Sequence, residues 1–213
     1  MVGGQMGHQE HFLSEVQKLS QLEPRFAQVT DECGMPSLRL RPKGPEALIR
    51  IICEQQLSKS SAHAISTRVL QAWPSLSQED IINNPLECLA GLGLSRAKML
   101  SLSDFVQKLA SGQVVLQGLE ERPVEEAMAH LMQVRGIGPW SAQLYLMFSL
   151  NHPDIFAPGD LALQRGHDRL FELSVPSDEK TLGLLSEKWR PHRSAAAHLL
   201  WHYYSSVVRP SKS

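Results

Sequence analysis

The stretch Val134-Arg-Gly-Ile-Gly-Pro-Trp-Ser141, with the apolar run after it and then Phe156-Ala-Pro-Gly-Asp160, decides how this chain is read. Glycine tolerates positive φ and has no Cβ, so Gly136 and Gly138 can turn the backbone sharply and bring it close to a ligand. The free N–H groups at the start of the following helix, together with the helix dipole, then make an anion site. A DNA phosphate is a suitable anion, bound without reference to base sequence. An ordinary tight link between antiparallel helices has the same local pattern. Asp160 stands before Leu161, Leu163 and Leu170, where a helix N-cap belongs, and capping alone would explain an aspartate there. A capping carboxylate that faces a cleft can also stabilise positive charge developing on a deoxyribose ring and orient water. A backbone grip on phosphate followed by such a carboxylate points to an enzyme acting on DNA.

Outward from this segment the periodicity is helical nearly throughout. Phe12, Val16, Leu19 and Leu22 open the pattern, and Leu48, Ile51, Ile52 and Gln55 continue it after Pro45, which suits a first helical turn. Ser58 is placed to cap a helix using Ala62, Ile65, Val69 and Leu70. Further helices fit 77–82, 85–90, 95–109, 123–132, the run after Gly138, 161–173, 178–189 and 192–208. Val114 to Leu116 is the one strand candidate, too short to build a sheet. The expected fold class is all-α, with frayed or disordered ends at residues 1–8 and 210–213 around a single domain over 9–209.

Composition narrows the function classes. The formal charge of −1 and a pI near 6.8 remove any argument from global basicity, so nucleic-acid binding must rest on a local surface. Lys98, Arg135 and Arg165 are candidates for a local basic rim. Cys33, Cys53 and Cys88 are far apart with no C-x-x-C pair, which argues against a disulfide framework, a zinc knot or an iron–sulfur cluster. No signal-peptide core or membrane-length apolar run is present, so the expected setting is the cytoplasm, on the nucleoid in a bacterium or in the nucleus of a eukaryote.

The combination of Val134 to Tyr145, Asp154 to Gly166, Ile51-Ile-Cys-Glu-Gln-Gln-Leu-Ser58, Gly91 to Lys98 and Trp189-Arg-Pro-His-Arg-Ser194 resembles the helix-hairpin-helix, Gly/Pro-loop and catalytic-aspartate (HhH-GPD) DNA glycosylases. Within that superfamily it is most similar to the 3-methyladenine DNA glycosylase II branch, over roughly residues 45 to 205. The resemblance implies a two-lobed helical fold with the active-site cleft between the lobes and the hairpin at about 123–150. It implies that Asp160 is the catalytic aspartate and that Trp140, Leu144 and His192 line the base pocket. Gln56, Leu57, Gly136, Gly138 and Ser141 fall at DNA-binding positions, with Gln56 as the wedge filling the gap of a flipped nucleotide. The carbonyls of Met132, Val134 and Ile137 fall where the family holds a structural Na+ or K+, and no cofactor is expected for catalysis. The implied partner is duplex DNA carrying alkylated bases, bound by a monomer, with no membrane association.

Trp140 stands where bifunctional members carry a lysine nucleophile. An indole cannot attack a sugar carbon but can stack on a purine, so the resemblance implies a monofunctional enzyme that leaves an abasic site. A plain core aromatic is the competing reading of Trp140. His192 replaces a second stacking tryptophan of the best-known bacterial members and Leu144 a tyrosine, and the separate N-terminal sheet domain of some members is expected to be missing. Fewer aromatic faces should hold cationic bases less by π-stacking and narrow the substrate range. His198 and His202 have the spacing of a helical metal pair but lack a third ligand, and are read as helix-face histidines. The alternative function is a non-catalytic helix-hairpin-helix module that binds DNA or lesions, with Asp160 only a cap.

Overall fold

A computed structural model describes residues 2–57, 59–73, 75, 77–83 and 86–209, and among them every regular element is helical. The α-helices are α1 (Val2–Leu22), α2 (Arg25–Cys33), α3 (Pro45–Glu54), α4 (Lys59–Gln71), α5 (Gln78–Asn83), α6 (Arg96–Ala110), α7 (Val124–Leu131), α8 (Pro139–Phe148), α9 (Leu161–Leu170), α10 (Glu179–Ser186) and α11 (Arg193–Tyr203). By packing the chain divides into two compact units, one of Leu40–Leu150 and one of Met1–Arg39 with Asn151–Ser213.

The Leu40–Leu150 unit is organised on α3. Ala47, Leu48, Ile49, Ile51, Ile52 and Cys53 are all buried, leaving only the stripe of Glu46, Arg50 and Glu54 partly exposed, so the rest of the helix must be surrounded. Its neighbours are α4, α6 and α8. Gly44 and Pro45 start it, with Pro45 at the position where a missing N–H is harmless. The Gly44 N–H instead donates to the Tyr145 hydroxyl at 3.1 Å, and burial pushes that hydroxyl up to about 12. α8 is equally enclosed, with Leu144 to Phe148 buried in sequence.

In the other unit α11 packs against α9, α2 and α1. Ala195, Ala196 and Ala197 keep its surface low. A Cβ on Gly166 would lie 2.7 Å from the Leu200 carbonyl oxygen, so glycine permits the close crossing of α9 and α11. Trp189, fully buried, gathers Phe26 and Phe156 edge-on at ring distances of 5.2 and 5.4 Å.

Several expectations are corrected. α1 starts at Val2, although residues 1–8 were expected to be disordered. Phe12, Val16 and Leu19 bury one face of this helix, hydrogen bonding continues it toward the N-terminus, and the His8 ring pairs with the Asn151 amide at 3.0 Å. Val114 to Leu116 forms no strand. Val114 and Leu116 are separate buried anchors, and the Val115 N–H donates to His130 Nε2 at 2.9 Å rather than to a ladder. The helix expected over 161–173 stops at Leu170 because Glu172 turns left-handed at φ 53°. The 85–90 segment contributes a single 3-10 turn, Leu86–Leu89, and α11 ends in a π turn, Tyr204–Val208. Helix α2, anchored by Phe26 and Val29, was not anticipated. The Ser58 cap, Pro85 and residues 210–213 lie outside the described residues.

Candidate active site and DNA-binding hairpin

Within Leu40–Leu150, α7, the 132–138 turn and α8 form the expected helix-hairpin-helix. Gly136 adopts φ 79°, which favours glycine, and an added Cβ would lie 2.4 Å from Ser101 Oγ. Gly138 is the N-cap of α8 with extended backbone, and Pro139 follows at the first helical turn. One face of α6 supports the turn from below. Asp104 accepts the Arg135 N–H at 2.7 Å and Lys108 at 2.8 Å, and Lys108 also donates to the Gln133 carbonyl at 2.5 Å. Burial would raise the Asp104 carboxyl, but the Arg135 amide and the Lys108 ammonium outweigh it and hold it below its usual range. Among the described residues the N–H groups of Gly136 and Gly138 donate to no protein acceptor. Ordered backbone donors without a protein acceptor are what a phosphate grip requires.

The sequence reading missed Gln55. Its amide donates to the Gly136 carbonyl and to Ser141 Oγ, both at 2.9 Å, tying the end of α3 to the hairpin. Ser141 is buried, with its Oγ accepting the Gln55 amide. Gln55 had been counted only on the apolar face of α3. A long amide closing such a face, in the Gln-Gln pair at the helix end, was the available signal.

Next to it, Gln56 is exposed and held at φ 55°. A non-glycine residue in the left-handed region carries strain of order 1 to 3 kcal/mol and is maintained only where surrounding structure fixes it. Leu57 beside it is 38% exposed, an apolar side chain left in solvent. Trp140 is half-buried on α8 and therefore not a plain core aromatic, whereas Leu144 is buried. Lys98 turns inward and donates to the Cys53 carbonyl at 2.8 Å, so it is occupied rather than part of an open rim, while Arg135 and Arg165 are exposed.

The carbonyls of Met132, Val134 and Ile137 fit a monovalent cation by chemistry, being neutral hard-oxygen donors within one short turn. The Val134 carbonyl accepts the Ile137 N–H at 3.0 Å and keeps a second lone pair. Among the described residues, the other two accept no protein hydrogen bond. No group of three or more His, Cys, Asp or Glu able to hold a metal occurs among the described residues.

In the second unit, Asp160 is the N-cap of α9 as its sequence position suggests. Its Oδ1 accepts from the N–H groups of Ala162 at 2.9 Å and Leu163 at 3.1 Å. The same oxygen accepts the indole N–H of Trp201 from α11 at 3.1 Å, a partner not foreseen. Three donors fix the rotamer of one carboxylate, a preorganised charge at a helix N-terminus. Gln164 holds the preceding turn by donating to the Pro158 carbonyl at 2.8 Å.

His192 sits at the start of α11 with its Nδ1 2.5 Å from Glu15 Oε2 on α1. The two histidines of α11 each meet a different backbone carbonyl. Burial drives His198 down to about 4 and its Nδ1–H donates to the Ser194 carbonyl, while His202 Nε2 meets the Cys33 carbonyl at 3.0 Å.

Comparison with known proteins follows the same outline. The HhH-GPD superfamily base excision DNA repair protein model matches residues 49–191. A DNA-3-methyladenine glycosylase of Schizosaccharomyces pombe is 32% identical over 191 residues, which is 83% of this chain and 82% of the relative. The solved structure of a 3-methyladenine DNA glycosylase from the same yeast, bound to abasic DNA, superposes with a TM-score of 0.82 at 27% identity, covering 93% of this chain and all of the other. A DNA-3-methyladenine glycosidase from Bacillus halodurans superposes with a TM-score of 0.78 at 28% identity, covering 91% and 90% of the two chains.

Proposed function

This chain belongs to the HhH-GPD superfamily of base excision DNA repair proteins, and on that premise we propose that it excises alkylated purines from duplex DNA by hydrolysis. The observation that carries the reading is the triple hold on Asp160 Oδ1 by Ala162, Leu163 and Trp201. A cap alone is satisfied by the two amides. The indole adds a side-chain donor from another helix, which is the kind of orientation a charge-stabilising group needs.

In this reading the hairpin amides of Gly136 and Gly138 bind backbone phosphate, and the carbonyls of Met132, Val134 and Ile137 would hold a Na+ or K+, which would supply positive charge to the hairpin. Gln56 and Leu57 enter the duplex where a nucleotide leaves it, offsetting an unstacking cost of a few kcal/mol in order of magnitude. Trp140 supplies a stacking face for the extruded base, with Leu144 behind it.

Asp160 acts on the bond between the sugar and the base. A 3-methyladenine or 7-methylguanine nucleoside already carries positive charge, so the base departs with the bonding pair as a neutral molecule. The charge left on the sugar is oxocarbenium-like, and the carboxylate stabilises it more than it stabilises the ground state. Water then adds to the sugar carbon and loses a proton, leaving an abasic site. With Trp140 where a lysine nucleophile would stand, no covalent adduct forms and the strand stays intact.

The test is release of free methylpurines from dimethyl-sulfate-treated duplex, with strand integrity scored before any alkali. Free base with unbroken strands is the expected result. Strand cleavage concurrent with base release would overturn the monofunctional step.

A further inference from the structure

Glu15 is a carboxylate on the wrong face of its helix. It lies between Phe12, Val16 and Leu19 on the buried side of α1, and only 8% of it is exposed. Burying an unpaired carboxylate is costly, so such a position persists only with compensation. Compensation is complete here: Oε1 accepts Lys18 at 2.9 Å and Oε2 takes His192 Nδ1 at 2.5 Å. Burial would raise the Glu15 carboxyl, yet the hydrogen bonds from His192 and Lys18 outweigh it and hold the group below its ordinary value of 4.5.

The chemistry of the pair follows from that state. An ionised carboxylate has lone pairs and no hydrogen, so the proton of the contact must sit on His192 Nδ1. The backbone of His192 is fixed as well, its N–H donating to the Trp189 carbonyl at 2.8 Å and its carbonyl accepting the Ala196 N–H at 3.2 Å. Main chain and one ring nitrogen are therefore committed. Nε2 has no hydrogen-bonding partner among the described residues, and the ring keeps 14% of its side-chain surface in solvent.

We infer that Glu15 is a positioning residue for base selection: it fixes His192 as the Nδ1–H tautomer, so that Nε2 is presented as a hydrogen-bond acceptor to the edge of the excised base. This rests on the reading of His192 as a base-pocket residue. An acceptor backed by a carboxylate favours a base edge that donates, such as the exocyclic amine of an alkylated adenine. It disfavours a purine whose keto oxygen would meet the Nε2 lone pair. The pair thus replaces stacking on a second aromatic face with a directional contact.

Two measurements on the full chain test this. Imidazole nitrogen NMR of His-labelled protein at neutral pH, assigned with His192→Phe, should show Nδ1 protonated and Nε2 bare, and Glu15→Gln should mix the tautomers because an amide can donate or accept. Single-turnover release of 3-methyladenine should fall on the order of tenfold in Glu15→Gln, with DNA affinity unchanged and with hypoxanthine release not reduced. The loss should vanish when the same change is made in a His192→Phe background. A protonated Nε2 in the unmodified protein would overturn the inference, as would an equal loss in both backgrounds. Unmodified protein that releases no methylpurine at all would instead sink the proposed function, and the NMR result would still decide whether Glu15 holds His192.

Discussion

The Trp201 indole donates to the carboxylate oxygen of Asp160 at 3.1 Å, joining the last turn of α11 to the N-cap of α9. Two backbone amides already satisfy the capping geometry, so the indole contributes orientation. Trp201→Phe keeps an aromatic ring but removes the donor and leaves a smaller side chain at a buried site, so some loss of thermal stability is expected with it. We expect base release to slow on the order of tenfold through kcat, with KM little changed, because hydrogen bonds to charged groups are worth about 1.5 to 3 kcal/mol. A change confined to thermal stability would assign Trp201 to packing alone.

Gly136 offers a test of the hairpin. Its φ of 79° and the 2.4 Å approach of a Cβ to Ser101 Oγ act together against any side chain. Gly136→Ala should destabilise the Leu40–Leu150 unit by more than about 1 kcal/mol and weaken DNA binding. Adding Ser101→Gly removes the clash and leaves the dihedral strain, so recovery should be partial. Full recovery of melting temperature would show that the dihedral is unimportant.

Gln56 should separate stability from activity. Glycine relieves the strain at φ 55°, so Gln56→Gly is expected to raise stability by roughly 1 kcal/mol. The same change removes the wedge, and release from duplex should fall while release from single-stranded substrate does not. Equal rates on both substrates, in mutant and unmodified protein alike, would remove Gln56 from base flipping.

Acid should loosen the hairpin support. The Asp104 carboxyl is held below its ordinary 3.8, despite burial, by the Arg135 amide and Lys108. A depressed folded value means that the stabilisation is present above pH 3.8 and is lost as pH falls through the lower folded value. Asp104→Asn should therefore lower the urea midpoint at neutral pH and flatten its decline in acid. An unchanged acid limb would show that other carboxylates carry it.

How far the sequence reached can be seen residue by residue. The helices and the hairpin were legible because Gly136, Gly138 and the apolar periodicity are local signals. Asp160 as a cap was legible for the same reason. The partners that turn these elements into a site were not, since Gln55 reaches Gly136, Trp201 reaches Asp160 and Glu15 reaches His192 only after the chain has folded. The buried Ser141, whose place in the motif suggests DNA, likewise gains Gln55 as a partner only in the fold. The early start of α1 was missed because its Gly- and Gln-rich first residues read as weakly helical, and α2 because only Phe26 and Val29 mark its apolar face.

The central claim is that Asp160 performs chemistry beyond capping, and Asp160→Asn separates the two roles. Asparagine caps about as well as aspartate and keeps an oxygen for Trp201, so melting temperature and affinity for abasic duplex should hold. The measurement is single-turnover release of 3-methyladenine from methylated duplex by this variant and by the unmodified protein. A loss of at least roughly 100-fold is expected from removing the charge. Release at the unmodified rate would contradict the account and leave Asp160 as a cap.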